Sequence, residues 1–336
     1  MAMVIETGDD GRIWSVAFDT DGQLLSGKED GLRRWRVAHG HWQEVGNQMG
    51  LGMDLHAISV SRDGKWIVCG TTQGASVWDA KTQKKAIEVE GTEYVGAVDV
   101  SPESTRFATT ADYKASIWNI ITGERLVGPL THYYSLVGIK FSPNGERIAT
   151  AVINHSISIF DSRNGDHIIT IETPMSPWVP STPLAWSNNG QHLFAASGDR
   201  KIKSFDVSTG SELAEAQING EGEVVSIALA ASGKFLATYI DDSISFWDAS
   251  TLTQIGPAFI ADEEVVQSIA LSPDCSRLVT GGQDGSISIR KLDNILPDSY
   301  GPFRVSIYAF TILSDKSHIH SLLIPPLGTC SRRTCT

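Results

Sequence analysis

Residues whose side chains could do chemistry are few in this chain, and their spacing favours turns over active sites. His39-Gly40-His41 and His318-Ile319-His320 each place two histidines in alternation, without a third metal ligand close in sequence. Cys330 and Cys335 have no neighbouring zinc ligands either. Paired acids such as Asp241-Asp242 could act as acid and base, but acids in tight turns usually accept hydrogen bonds from backbone amides. We therefore expect no catalytic residue, no metal site and no cofactor.

Composition and charge exclude further classes of protein. The 336 residues carry 27 Lys and Arg against 39 Asp and Glu, a net charge of -12, which argues against binding to duplex nucleic acid. The stretch from Met1 to Glu6 lacks the basic start and apolar run of a secretory signal. No segment approaches the ~20 apolar residues of a membrane span. The four cysteines lack a disulfide framework spacing, which favours free thiols in the cytoplasm, with the nucleus as the alternative.

One repeated pattern organises the elements that would have to position any site. Each unit has an apolar strand, a Ser-Pro or Asp-Gly turn, a second strand, a tight turn, and a third strand that ends in an aromatic residue. The aromatic ends recur every 40 to 45 residues, and Arg290 takes the seventh place. A fixed period of this length indicates a repeat architecture. The six aromatic ends are Trp35, Trp78, Trp118, Phe160, Phe205 and Trp247.

The fourth repeat shows how the pattern predicts strands. Residues 136–142 form an apolar run suited to a buried strand, and Pro143-Asn144-Gly145 supplies turn chemistry. Residues 156–161 alternate polar and apolar side chains, as in a half-exposed strand. A fourth strand is available at 168–171. Four short strands per unit, repeated seven times without a helical pattern, predict an all-β fold, a seven-bladed β-propeller of four-stranded antiparallel blades.

The strand endings resemble those of WD40 repeats, and the resemblance covers roughly residues 11 to 293. WD40 repeats typically also contain a histidine that joins a hydrogen-bonded set with Ser or Thr, Asp and Trp, whereas only His132 stands at that position here. Thr92, Glu221 and Asp262 occupy it in repeats three, six and seven. We expect apolar packing between blades to hold the propeller, with a smaller contribution from the polar set. The matching endings are Trp78-Asp79, Trp118-Asn119, Phe160-Asp161, Phe205-Asp206 and Trp247-Asp248.

The chain ends decide how a ring of blades would close. Residues 2–6 resemble outer strands of other repeats, and we expect them to pair with the blade that carries residues 266–292. The segment 303–308 alternates like a strand and competes for this place. After Asp293 the repeat pattern stops. The sequence therefore predicts a propeller over residues 1–293 and an irregular, poorly ordered extension over residues 294–336.

The resemblance also implies a shared upper rim, formed by the loops that lead into each blade and by the turns before the aromatic strands. Acidic side chains are frequent in these places, so we expect the rim to attract a basic peptide or domain. Simple solvation of turn acids is the alternative. The acids that we expect to contact a partner are Asp30, Asp112, Asp199, Asp241, Asp284 and Glu263.

One proline-rich loop, residues 173–183, leads into blade five. Prolines lower the entropy cost of holding a shape, so Met175 and Trp178 are expected to be apolar contacts on a rigid surface loop. The alternative is that Trp178 folds back onto the blade.

These features favour a non-catalytic scaffold that binds protein partners through the upper rim and channel mouth. A second interpretation rests on segments 122–130 and 255–258, which look like the blade links of WD40 arrays in fungal NACHT proteins. In that case the chain would be a ligand-sensing arm, or a stand-alone relative, of an innate-immunity receptor. An enzyme is the third interpretation. It would require polar groups that converge in the channel, and the sequence does not show them.

Overall fold

The computed structural model describes residues 3–7, 11–46, 48–50, 54–89, 94–175, 183–218, 224–240, 242–263 and 265–301. The described residues form 29 β-strands and contain no helix. All of them belong to the first of two compact units, which divide the chain into Met1–Phe303 and Arg304–Thr336.

The strands form seven antiparallel sheets, each of which is one blade. The N-terminal strand β1 (Met3–Glu6) belongs to blade seven, and blade one follows it with β2 (Ser15–Phe18), β3 (Leu24–Lys28), β4 (Gly31–Ala38), β5 (His41–Glu44) and β6 (Met49–Gly50). Blade two contains β7 (Leu55–Val60), β8 (Trp66–Thr71), β9 (Gly74–Asp79) and β10 (Lys84–Val89). Blade three contains β11 (Val95–Val100), β12 (Arg106–Ala111), β13 (Lys114–Asn119) and β14 (Arg125–Thr131).

The remaining blades repeat the same order. Blade four contains β15 (Leu136–Phe141), β16 (Arg147–Val152), β17 (Ser156–Asp161) and β18 (His167–Glu172). Blade five contains β19 (Leu184–Trp186), β20 (His192–Ser197), β21 (Lys201–Asp206) and β22 (Glu212–Gln217). Blade six contains β23 (Val224–Leu229), β24 (Phe235–Ile240), β25 (Ser243–Asp248) and β26 (Phe259–Ile260). Blade seven contains β27 (Val266–Leu271), β28 (Arg277–Gly282) and β29 (Ser286–Lys291), with β1 outermost.

The first strand of every blade is innermost, and these seven strands contact one another in a closed ring. Each of β2, β7, β11, β15, β19 and β23 contacts the next member, and β27 contacts β2 again. The ring closes because β1 pairs antiparallel with β29, from Met3 opposite Ile289 to Glu6 opposite Ser286. The predicted seven-bladed, all-β propeller is therefore the observed fold.

Apolar packing joins every pair of neighbouring blades. Seven hydrophobic clusters of buried residues occur, one at each interface between adjacent blades. Between blades three and four, for example, Ile117 and Val127 meet Ile139 and Phe141. The alternating strands supply these side chains because each blade must bury both of its faces against neighbours.

Polar contacts supplement this packing at the aromatic ends. Four tryptophans donate an indole hydrogen bond to a buried hydroxyl in their own blade, while His132 contacts Thr150 at 3.3 Å and packs edge-on against the Phe160 ring at 5.6 Å. Of the hydrogen-bonded set of His, Ser or Thr, Asp and Trp that is typical of WD40 repeats, these four blades keep the bond between Trp and Ser or Thr. The indole bonds join Trp35 to Ser26 at 2.8 Å, Trp78 to Ser76 at 2.9 Å, Trp118 to Thr109 at 2.9 Å and Trp247 to Thr238 at 2.9 Å.

A second set of hydrogen bonds links blades around the channel. In each case a side chain of one innermost strand accepts a hydrogen bond from a backbone N–H of the next blade. These bonds tie blades seven, one, two, three and four in sequence, and they keep the polar groups that line the channel in fixed positions. The acceptors are Ser268 for the amide of Val16 at 3.2 Å, Ser15 for Ile58 at 3.2 Å, Ser59 for Val100 at 3.1 Å and Asp99 for Phe141 at 2.9 Å.

The packed unit continues beyond Asp293, where the repeat pattern stops. Leu296 is buried in the cluster between blades six and seven, and Ile295 packs against it. The Tyr300 hydroxyl donates a hydrogen bond of 2.7 Å to Asp248, which holds this segment on blade six. The first residues of the predicted extension are therefore part of the propeller, while residues 302–336, including the segment 303–308, lie outside the described residues.

Candidate functional site

The upper rim is the end of the propeller where the hairpins between second and third strands lie beside the segments that lead into the next blade. Backbone hydrogen bonds show this directly: His132 and Leu136 donate to Tyr113 and Asp112, each at 2.8 Å. In blade seven, the hairpin amide of Gln283 donates at 2.8 Å to the carbonyl of Val265, in the segment that leads into the same blade. One face of the ring therefore collects seven equivalent hairpins together with their incoming segments.

Four of the five predicted turn acids are exposed on this rim, in blades one, three, five and seven, and Asp241 lies outside the described residues. Their spread around the ring means that they do not form one cluster. Each carboxylate also has a partner in the chain, which fixes its position. These partners are Arg33 for Asp30 at 3.1 Å, Ser135 for Asp112 at 2.7 Å, Lys203 for Asp199 at 3.1 Å and the amide of Ser286 for Asp284 at 3.0 Å.

The charge state of Asp30 is secured by its surroundings. Partial burial alone would raise the pKa of this carboxyl, but hydrogen bonding and the nearby Arg33 charge hold the pKa below its ordinary value. Asp30 is therefore negatively charged at neutral pH and contributes to the potential of the rim.

Met175 corrects one expectation, because this side chain is fully buried rather than exposed. It lies in the cluster between blades four and five and forms bridges with Ile153 and Ser197. Its carbonyl accepts a hydrogen bond of 2.9 Å from the amide of Asn154. These contacts fix the start of the proline-rich loop between blades four and five. Trp178 lies outside the described residues.

Glu263 corrects a second expectation, because it is 4% exposed and supports blade seven internally. Its carboxylate accepts hydrogen bonds from the Thr280 hydroxyl and from the amide of Ser288, the latter at 3.0 Å. Glu263 therefore occupies the position of the WD40 histidine in repeat seven, which the sequence comparison had assigned to Asp262. Asp262 pairs instead with Arg290 at 2.7 Å.

Arg290 stands at the seventh aromatic position and contacts the neighbouring blade. Its guanidinium lies 4.5 Å from the centre of the Phe259 ring and donates a hydrogen bond of 3.1 Å to the carbonyl of Ile260, both in blade six. Together with the Asp262 ion pair, these contacts give Arg290 a structural role at the joint between blades six and seven.

A row of aromatic side chains at the channel mouth is the feature that sequence reasoning missed. Trp14 and Tyr94 lie in the incoming segments of blades one and three, and His56 is the second residue of β7 in blade two. The Trp14 and His56 rings lie 5.1 Å apart, the His56 and Tyr94 rings lie 4.8 Å apart, and Arg12 lies 5.5 Å from the Trp14 ring. We call these four residues the mouth cluster. Trp14 and His56 occupy the same place in successive repeats, so an alignment of the repeats would have revealed them.

Two nitrogen atoms of the mouth cluster are buried and have no hydrogen-bond partner among the described residues. They are Nε1 of Trp14 and Nε2 of His56, and His56 is 8% exposed. Burial lowers the pKa of His56, against the opposing charge of Asp54, so the imidazole is neutral at pH 7. A buried polar atom without a partner is costly, and each one in a native structure calls for an explanation.

Irregular pairing positions these side chains. In blades two, three, four, six and seven the register between the first two strands shifts near the start of the first strand, at His56 and its equivalents. A β-bulge takes a residue out of the ladder and redirects its side chain, and bulges are common beside functional sites. The repeated bulge therefore takes one residue of each of these five blades out of the ladder near the upper rim, and in blade two this residue is His56.

More exposed aromatic residues lie beside the mouth cluster, on blades three and four. Tyr133 is 99% exposed and Tyr134 is 55% exposed, and Tyr113 is exposed in the adjacent hairpin. The Tyr134 ring lies 5.4 Å from that of His155. Large exposed aromatic side chains are enriched at protein interfaces, since they offer much contact area at little entropic cost.

The channel below the rim contains a cavity of about 470 Å³. Small residues of the innermost strands line much of it, including Ala57, Gly96 and Ala97 next to the mouth cluster. The charged pair in its wall is Lys140 with Asp99, whose charged atoms are 2.7 Å apart. A cavity of this volume has room for a side chain of a partner.

The described residues show no sign of a metal centre or a reactive thiol. Within them, no group of three or more His, Cys, Asp or Glu side chains is placed to hold a metal ion. His39 and Gly40 form the tight turn between β4 and β5 at φ values of 52° and 81°. Cys69 and Cys275 are buried free thiols, and burial raises the pKa of Cys69 to about 12. No helix among the described residues has the length and apolar character of a membrane span.

Comparison with known proteins agrees with this architecture. The family described as "WD domain, G-beta repeat" matches residues 3–32, 184–206 and 258–290. Similar proteins include the guanine nucleotide-binding protein subunit beta of Solanum tuberosum, 24% identical over 57% of this chain and 54% of its own length. The nuclear distribution protein nudF of Aspergillus niger is 28% identical over 66% of this chain and 45% of its own length. The U3 small nucleolar RNA-associated protein 15 homolog of Gallus gallus is 25% identical over 68% of this chain and 44% of its own length.

The chain thus spans about half the length of the curated relatives that it matches. The matched segments cover β1 and the first part of blade one, the first three strands of blade five, and β26 of blade six together with the strands of blade seven. The chain is therefore a seven-bladed β-propeller that contains WD40 repeats at three matched segments and is similar to WD-repeat proteins.

Proposed function

We propose that the protein is a non-catalytic scaffold whose upper rim and channel mouth bind a partner protein through a basic segment. The observation that carries this proposal is the coincidence of exposed aromatic rings and an excess of acids at one end of the propeller. The WD40 relatives support the general class, because they are named as a subunit, a distribution protein and an RNA-associated protein. The cytoplasm, with the nucleus as the alternative, remains the proposed location.

The charge balance of the upper rim supports a basic partner. Among the described residues, its hairpins and incoming segments carry seven exposed acids and three exposed bases. This excess attracts a cationic segment at a distance and accelerates association at low ionic strength. The acids are Glu29, Asp30, Asp112, Asp199, Asp242, Asp262 and Asp284, and the bases are Arg12, Lys114 and Arg200.

Exposed tyrosines beside these acids support the same partner. Tyr113, Tyr133 and Tyr134 are exposed within one to two blades of Asp112 and Asp199, and Lys114 already lies 5.1 Å from the centre of the Tyr113 ring. Lys and Arg side chains bind both to carboxylates and to aromatic faces, so a mixed surface of this kind favours them. Trp178 and Asp241 stay candidate contacts of the same rim on the basis of the sequence alone.

A charge-removal variant tests the proposal. Asp to Asn keeps the hydrogen-bond acceptor in each turn while it removes the charge, so the hairpins should stay folded. The probe is a fluorescent 12-residue peptide rich in Lys and Arg, measured by anisotropy and stopped flow at several salt concentrations. The rim variant combines Asp112→Asn, Asp199→Asn and Asp284→Asn, and the matched control on the opposite end combines Asp21→Asn, Glu146→Gln and Asp166→Asn.

The expected loss follows from the charges removed. Exposed ion pairs contribute about 0.5 kcal/mol each, so three should weaken binding about tenfold. The control has the same net charge and should bind like the wild type. An association rate that does not depend on ionic strength, or an equal loss in both variants, would exclude a basic partner on this rim.

The likeness of the blade links to fungal NACHT arrays remains a prediction from sequence. An upstream nucleotide-binding module in the same gene would support it.

A further inference from the structure

The mouth cluster contains a matched pair of unused hydrogen-bonding atoms. Among the described residues, neither Nε1 of Trp14 nor Nε2 of His56 has a partner, although both atoms are buried. The two rings meet edge to face with centres 5.1 Å apart, and they belong to neighbouring blades. The fold therefore brings two rings of neighbouring blades into contact and leaves one polar atom of each without a partner among the described residues.

We propose that the mouth cluster binds one residue of an extended peptide, whose main-chain carbonyl accepts a hydrogen bond from Trp14 and whose main-chain N–H donates to His56. This inference rests on the proposed function and specifies how the partner segment is anchored. An extended residue presents its N–H and C=O on the same side, as in an antiparallel ladder, so a single residue can serve both atoms.

The chemistry of the two nitrogen atoms selects a peptide over an ion. An indole nitrogen is always a donor, and Nε2 of a neutral imidazole is an acceptor when the ring proton is on Nδ1, which is the tautomer that this site requires. A carboxylate offers only acceptors and would face the acidic rim. An ammonium group offers only donors and would meet Arg12, which already lies 5.5 Å from the centre of the Trp14 ring. A peptide residue carries both a donor and an acceptor and has no charge to oppose.

Tyr94 forms the third side of the site. Its ring packs 4.8 Å from that of His56 and is 49% exposed, so one part is fixed while another is free to cover a bound segment. Gly96 makes this position possible, since a Cβ at Gly96 would lie 3.0 Å from the Tyr94 ring. Gly96 also lines the cavity of about 470 Å³, so a side chain of the bound residue can continue into the channel.

The first experiment follows the Trp14 indole resonance in the wild-type protein by two-dimensional nuclear magnetic resonance, with assignment from the Trp14→Phe variant. Three small probes are titrated at constant ionic strength: N-acetyl-alanine N-methylamide, sodium acetate and methylammonium chloride. We expect the capped alanine to move the indole proton downfield as its hydrogen bond forms, with no comparable shift from the other two. A shift with acetate or with methylammonium alone would overturn the peptide assignment.

The second experiment measures affinity for the basic 12-residue peptide. Trp14→Phe and His56→Phe keep a ring in place and remove one polar atom each, and each should weaken binding about tenfold. Trp66→Phe, on the second strand of blade two and away from the mouth, should bind like the wild type. Thermal unfolding of each variant verifies that it is folded.

The outcomes separate this inference from the proposed function. If the rim charge variant loses affinity while Trp14→Phe and His56→Phe bind normally, the rim is the binding surface and the mouth cluster is not the anchor. If the wild type does not bind the basic peptide but its indole resonance responds to the capped alanine, the result supports peptide binding at the mouth cluster and refutes the proposal of a basic partner.

Discussion

Ring closure depends on one short strand, and Ile5 offers a way to measure its contribution. Ile5 is 9% exposed and lies in the cluster between blades seven and one, which also contains Ile13, Leu24 and Ile287. Truncation of a buried isoleucine to alanine typically costs 2–5 kcal/mol, and an outermost strand can partly collapse around the gap. We therefore expect Ile5→Ala to lower the free energy of unfolding by about 2–3 kcal/mol.

The matched control is Val4→Ala, one residue away on the same strand. Val4 is 49% exposed and pairs with Ser288, so its truncation removes little buried surface and should cost no more than about 0.5 kcal/mol. Both substitutions leave the backbone ladder to β29 intact. The difference between them therefore isolates the apolar contact through which the N terminus holds the last blade.

Equilibrium unfolding in urea, followed by tryptophan fluorescence, reads out the effect. With a slope of about 3 kcal/mol per molar urea, Ile5→Ala should move the midpoint down by roughly 0.7–1 M at an unchanged slope. If Ile5→Ala and Val4→Ala shift the midpoint equally, or neither shifts it, apolar packing of this strand does not close the ring. A second transition in Ile5→Ala alone would mean that blade seven opens before the others.

Three further predictions follow from the described contacts. His132→Ala should cost only about 1–2 kcal/mol in urea unfolding, since His132 has one hydrogen bond and one ring contact; a loss of 4 kcal/mol would show that the polar set matters more than packing. Burial lowers the pKa of both His56 and His132, so the unfolded chain takes up protons at a higher pH than the folded protein does, and stability should fall between pH 7 and pH 5. This dependence of the melting temperature on pH should become weaker when both histidines are changed to Phe. An equal pH dependence in the variant and the wild type would refute the prediction. Arg290→Met should lower stability by about 1–2 kcal/mol, and Arg290→Lys by a similar amount because an ammonium cannot both stack on Phe259 and reach Asp262; full rescue by lysine would mean that only charge is needed.

The fold was predictable from the sequence because its evidence is repeated. A single aromatic ending such as Trp78-Asp79 carries little weight, but seven units in register indicate the architecture and the number of blades. The closing role of Met3–Glu6 could be read in the same way, from its likeness to other outer strands. The repeat is uninformative where a residue departs from it, as at Arg290, and after Asp293, where the pattern stops.

The candidate site was only partly predictable, because exposure is a property of packing. Met175 follows a proline in a loop, which favoured a surface position, yet blades four and five close over it. Glu263 reads as one more rim acid, yet it is turned inward to the amide of Ser288. In contrast, Asp112 and Asp284 are exposed as expected, since the turn chemistry that selects an acid also places it outside the sheet.

The sequence by itself determined the repeated strands, the seven blades and the acidic turns, since these depend on local patterns that recur every 40 to 45 residues. Only the tertiary structure decided which side chains meet across blades. Trp14, His56 and Tyr94 are separated by about one repeat each along the chain, and they become neighbours because the innermost strands are arranged around one axis. Contacts between equivalent positions of successive blades depend on ring geometry and side-chain direction, and no local pattern in the sequence specifies either.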